Sequence, residues 1–182
     1  MWTWYVARAT GLVALVLLTA TLLLGVAGVT RAMTARWPRF ALGRLHRDVS
    51  LLAVVFLVLH VVTVVVDGYV DVGWVDALVP FVSGYHPLWT GLGTAATDLV
   101  LALVVTSLLR ARIGLRTWRA VHWTAYLAWP LAVIHGLGVG TDSTTGWVLV
   151  VTLGCVATAA AALVWRGTRG TEPALTTAGG RS

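Results

Sequence analysis

The chain has a single cysteine, Cys155, and it lies inside an apolar run. One thiol cannot close an internal disulfide, hold an iron–sulfur cluster, or supply the C-x-x-C-H attachment of a c-type haem. Charge is also scarce, at 11% of 182 residues, and all 13 basic residues are arginine. Most of these arginines fall between apolar runs. The net charge of +6 therefore reads as membrane orientation, and nucleic acid is not an expected partner. A dinucleotide fingerprint in its proper setting is missing too. Gly91-Leu-Gly93-Thr-Ala-Ala96 fits G-x-G-x-x-A, and residues 136–140 are glycine-rich, but neither follows a strand in a βαβ unit. No flavin or nicotinamide domain is expected.

Apolar sequence is abundant instead: 58% of residues are hydrophobic and the mean hydropathy is +0.86. A soluble domain of this size has no use for so much, whereas a bundle of membrane-spanning helices does. Most of the ten tryptophans fall near the ends of apolar runs, where indole rings settle at the membrane interface. Ala9 to Thr30 is uncharged and longer than the ~7–15 apolar residues of a signal peptide. The arginines that follow it, Arg31, Arg36, Arg39, Arg44 and Arg47, read as a stop-transfer flank.

The expected fold is an all-α membrane bundle of about five helices, spanning residues 1–165. Helix two runs from Leu45 to Val66, and an outer loop follows with a short amphipathic helix near 75–82. Helix three starts near Thr94 and takes Asp98 into its first turns, where an acid is tolerated. Helix four begins near Trp118 and ends in the glycine-rich turn 136–140, and helix five covers 146–165. A polar tail, 166–182, is expected to be disordered. The positive-inside rule puts the N-terminus outside, and the C-terminus and the two arginine-rich loops in the cytoplasm.

Four of the five histidines lie in two pairs on apolar segments. His46 and His60 are 14 residues apart, and His122 and His135 are 13 apart. With one helix between them, helices two and four run in the same direction. His46 and His122 then share one depth, and His60 and His135 share another, about 20 Å away at ~1.5 Å per residue. Polar groups in hydrocarbon are costly, so four histidines at matched depths point to ligation rather than packing. Neutral imidazole is an axial ligand of haem iron, and without a second cysteine the haems are b-type.

A spacing of 14 returns to within about 40° of the same helix face, but 13 misses by about 140°. A kink or rewinding at Pro130 is expected to realign His122 and His135. Arg44, Arg47 and Arg119 lie within a turn of the cytoplasmic-side ligands, where they can pair with haem propionates or act as ordinary anchors. Gly25 and Gly28 can make room for a porphyrin or let helices pack closely. His86 is expected in the outer loop, solvated or facing an acceptor.

Leu45-His46-Arg47 through His60, with Trp118-Arg-Ala-Val-His122-Trp-Thr-Ala-Tyr126-Leu-Ala-Trp and His135-Gly136, resembles the ferric-reductase-like transmembrane domain family. That family includes the membrane parts of ferric reductases and NADPH oxidases, and the haem subunit of methionine-sulfoxide reductase systems. The resemblance covers residues 43 to 165. It implies two b-type haems, one on His46 with His122 and one on His60 with His135. The oxidases of the family carry a fused flavin and nicotinamide domain, and their membrane part has six helices. The resemblance therefore implies a separate donor here, a cytoplasmic flavoprotein or a membrane quinol, with a flavin or quinone bound on the cytoplasmic side. An extracytoplasmic reductase is the implied acceptor, and a bacterial inner (plasma) membrane the implied location. A haem-free membrane anchor subunit or small transporter is the alternative.

Overall fold

A computed structural model of the chain describes residues 2–30, 38–68, 70–140 and 146–169. Among them are seven helices and no strand: α1 (Trp2–Thr30), α2 (Arg39–Asp67), α3 (Trp74–Leu78), α4 (Pro87–Leu108), α5 (Arg110–His122), α6 (Ala125–Val139) and α7 (Gly146–Arg169). The expected all-helical bundle is present. In length and composition α1, α2, α4 and α7 can cross a membrane, and α6 is a shorter apolar helix. Leu52, Val55, Leu59, Val62 and Val66 lie exposed along α2. In water such a face would drive aggregation; in a bilayer it meets lipid tails.

The interior of the bundle is rich in small residues, beside a few larger ones such as Leu15, Val26 and Leu42. Ala7, Ala14, Ala53, Ala96, Ala128 and Ala159 are buried, together with Thr10, Thr19, Thr94 and Thr152. Small side chains let helix backbones approach, which matters where lipid removes the hydrophobic drive for helix association. Thr19 and Thr152 return their hydroxyls to their own helices, to the carbonyls of Leu15 (2.8 Å) and Val148 (2.9 Å), whereas Thr94 donates across to the Asp76 carbonyl of α3 (2.8 Å). Within the bundle α1 packs against α2, α6 and α7, while α4 packs against α6. One bond ties α6 to α1 midway along their length, from Trp129 Nε1 to Thr19 Oγ1 (2.9 Å).

The elements differ from expectation mainly at their ends. α1 starts at Trp2 and α2 at Arg39, both earlier than their clean apolar runs. α4 starts at Pro87, not near Thr94, with proline in the first turn where its missing N–H costs nothing. Gly91 and Gly93, which look like breakers, lie inside α4 against the rings of Phe81 and His135. Asp98 therefore sits in the middle of α4 and not in its first turns. The short helix expected at 75–82 covers only Trp74–Leu78, and α7 continues past 165 to Arg169. Residues 170–182, Arg31, Arg36 and Asp142 lie outside the described residues.

The expected fourth helix is two helices. α5 ends at His122 and α6 begins at Ala125, across a turn at Trp123 and Thr124. In this turn the N–H groups of Thr124, Tyr126 and Leu127 donate to carbonyls three residues back. Such bonds wind the chain tighter than an α-helix. The break lies just before Tyr126, whose carbonyl Pro130 cannot bond and whose space the proline ring crowds. The interruption is thus present, but it falls at Trp123–Thr124, with Pro130 inside α6. A second bend precedes it at Gly114, with φ 79° and ψ 161°, a conformation open essentially only to glycine.

Candidate functional site

α1 and α2 run antiparallel, which sets the rings of α2 on the backbone of α1. His60 Nδ1 lies 2.8 Å from the Ala7 carbonyl and His46 Nδ1 lies 3.1 Å from the Thr21 carbonyl. Four residues after each acceptor, one helical turn on, stands a glycine, Gly11 or Gly25. A Cβ at Gly11 would come within 2.9 Å of the His60 ring, and one at Gly25 within 3.5 Å of the His46 ring. Gly28 has open space beside it, with nothing within 4 Å. Gly11 and Gly25 are 14 residues apart, the spacing of His46 and His60. The same helical geometry therefore brings both members of each set to one face.

α4 does the same for α6. His135 Nδ1 lies 2.8 Å from the Trp89 carbonyl, and a Cβ at Gly93, again four residues on, would fall 2.5 Å from the His135 ring. In return Gly138 of α6 receives the Trp89 indole, which an added Cβ would meet at 2.2 Å. Each helix offers a glycine to the other's ring.

His122 is held differently. Its ring stacks on Trp118, with centroids 4.7 Å apart and planes 25° apart. The Trp118 indole lies under the Arg110 guanidinium (4.5 Å) and donates to Ser107 Oγ (3.3 Å). Among the described residues the buried Nδ1 of His122 has no hydrogen-bond partner.

Across the bundle the histidines meet in two pairs. The His46 and His122 rings have centroids 6.3 Å apart, and the His60 and His135 rings are also 6.3 Å apart. These are the pairings that matched depth predicts, and the break at Trp123–Thr124 accommodates the 13-residue spacing. We term them the first level (His46, His122) and the second level (His60, His135). A cavity of about 360 Å³ surrounds the second level, walled by Gly11, Gly93, Val133 and Thr152, with Arg8 and Asp67 toward one end. That is within the range of roughly 300–1,000 Å³ for cofactor pockets.

The profile of the family described as "Ferric reductase like transmembrane component" matches residues 10–133. The chain belongs to this family. Membership marks it as a membrane electron-transfer component, and ferric-reductase-like domains typically bind haem. The match takes in His46, His60 and His122 and stops two residues short of His135, which the cross-bundle geometry adds. No curated protein and no solved structure matches the chain.

Among the described residues no group of three or more His, Cys, Asp or Glu side chains converges as a metal site. Among these residues the four histidines meet as two pairs. Arg44, Arg47 and Arg119 are exposed, and Arg47 is held by the neighbouring Asp48 at 3.2 Å. His86 is exposed at the N-cap of α4 against Tyr85, apart from both pairs. Sequence reasoning missed Gly11, Gly93 and Arg8. The first could have been found, because Gly11 and Gly25 repeat the histidine spacing. The other two depend on which helices pack together.

Proposed function

We propose that the chain is a transmembrane b-type cytochrome that relays electrons across the membrane through two bis-histidine haems. The observation that carries this reading is the ring separation. A nitrogen–metal bond of about 2.0 Å puts each imidazole centroid a little over 3 Å from a shared metal, so two axial rings stand about 6.3 Å apart. Both pairs have that separation, 6.3 Å. Three of the four imidazoles also face a backbone carbonyl through Nδ1. That contact fixes the tautomer with its proton on Nδ1 and leaves Nε2 as the free donor.

A haem at each level supplies one-electron iron chemistry. His46 and His122 would hold one, and His60 and His135 the other. Held by two histidines each, they would supply electron relay rather than oxygen binding. The small residues of α1 and α4 leave space beside the rings, and the apolar walls keep water away. Arg44 and Arg119 are the propionate partners at the first level; Arg47 would have to exchange Asp48 for one.

With the arginine-rich ends in the cytoplasm, the first level is the inner one. The donor there is a separate flavoprotein or a quinol, and the acceptor is an extracytoplasmic reductase. The host membrane is a bacterial plasma membrane. The test is a reduced-minus-oxidised absorption spectrum of the purified full chain, with haem quantified per polypeptide. Two low-spin b haems are expected. A colourless protein from haem-replete cells would overturn the reading and leave a membrane anchor or transporter.

A further inference from the structure

The four imidazoles are not held alike. His46, His60 and His135 each lie beside a glycine of a neighbouring helix, with a carbonyl four residues earlier that accepts from Nδ1. The ring needs the missing Cβ at Gly11 and Gly93, while at Gly25 a Cβ would make only ordinary contact. The fourth ring, His122, has no such seat. Counting 13 residues along α4 from Gly93, the His122–His135 spacing, reaches Thr106 instead of a glycine. Its hydroxyl already bonds to the Ala102 carbonyl at 2.6 Å, four residues earlier. The ring rests on Trp118, and its buried Nδ1 is without a partner among the described residues.

We propose that Gly11, Gly25 and Gly93 are positioning residues that set the electronic character of the ligands, and that the missing fourth seat makes the two levels unequal. This rests on the haem reading above. A hydrogen bond from Nδ1–H to a carbonyl makes the imidazole a stronger donor through Nε2. A stronger axial donor stabilises the ferric over the ferrous state and lowers the reduction potential. The second level has this bond on both rings and the first level on one. The second level therefore has the more negative potential of the two.

The three seats differ in tightness, which gives a graded test. An added Cβ would fall 2.5 Å from the nearest ring atom at Gly93, 2.9 Å at Gly11 and 3.5 Å at Gly25, against nothing within 4 Å at Gly154. The experiment is an anaerobic redox titration of the full-length, haem-loaded protein, followed in the visible spectrum with haem counted per chain. Wild type should titrate in two waves, and His46→Ala should remove the more positive one. Gly93→Ala and Gly11→Ala should shift the more negative wave upward, Gly93→Ala more, or abolish that haem alone. Gly25→Ala should move only the more positive wave, and by less, while Gly154→Ala should change neither.

A single unresolved wave from two haems would overturn the proposal and leave the haem reading standing. So would Gly93→Ala and Gly11→Ala variants that keep both waves in place, or that disturb both levels equally. A wild-type chain without haem would instead overturn the reading beneath it.

Discussion

Gly138→Ala is a one-carbon change whose effect can be worked from the packing of α4 on α6. The new Cβ would lie 2.2 Å from the Trp89 indole. Ordinary contact needs about 3.4 Å or more, so ring and helix must separate by more than an ångström in a close-packed interface. Overpacking of this kind costs about 1–3 kcal/mol. Part of that is masked, because alanine is the better helix former by about 1 kcal/mol. Gly136→Ala removes the mask: it sits two residues away on the same helix and would meet nothing within 4 Å. The propensity term is shared, so the difference between the two variants isolates the clash. In detergent, Gly138→Ala should unfold at lower temperature or denaturant than Gly136→Ala, by an amount equivalent to about 1–3 kcal/mol. Because the Trp89 carbonyl accepts from His135, the second level should also lose haem while the first keeps it. Equal stability of the two variants would refute the packing argument, and equal spectra would refute the link from Trp89 to His135.

Other substitutions probe separate parts of the structure. Trp129→Phe deletes the α6–α1 bond to Thr19, whose hydroxyl keeps the Leu15 carbonyl. Interhelical bonds in membranes average about 0.6 kcal/mol, so a small loss of stability with unchanged haem content is expected in an unfolding titration. Gly114→Ala forces a side chain into φ 79°, and a cost of about 1–3 kcal/mol should appear as a lowered melting temperature. Leu59→Arg puts a charge on the lipid face of α2, at about 2.5–3.5 kcal/mol on insertion scales, and should reduce membrane yield in a fractionation assay. Each single His→Ala change at positions 46, 60, 122 and 135 should remove one haem and leave the other. The levels are about 20 Å apart along the helix, too far to share a ligand.

The fold was legible where the sequence is monotonous. α1, α2 and α7 each centre on a long apolar run, and they differ from expectation only at their ends, where α1 begins at Trp2, α2 at Arg39, and α7 continues to Arg169. α4 was misjudged for a physical reason. Gly91 and Gly93 read locally as breakers, yet each is occupied by a ring from another segment, information that no window along the chain contains. The histidine pairing followed from depth alone. What the 13-residue spacing required was also legible, but not its location, because proline disturbs the turn before it rather than its own position. The seats beneath the rings were half legible. Gly11 and Gly25 repeat the spacing of His46 and His60, whereas Gly93 becomes meaningful only once α4 is known to pack on α6.

The helices that carry His46, His60 and His135 take their principal support from elsewhere. α2 is backed by α1, and the backing of α6 comes chiefly from α4. The bundle thus behaves as two jaws, one with His46 and His60 seated on α1 and the other with His135 seated on α4. They are joined by the Trp129–Thr19 bond, the packing of α6 on α1, and Arg166 of α7, which bonds to Tyr126 and lies over the Trp123 and Tyr126 rings. On the proposed reading the cofactor is the bolt between the jaws. Each jaw could assemble in the bilayer before loading, and the grip between them would tighten only on loading. Biogenesis would then be ordered, with helix pairs first and closure last. Amide exchange in the loaded protein should slow most on the facing sides of α2 and α6, and least on the buried backs of α1 and α4.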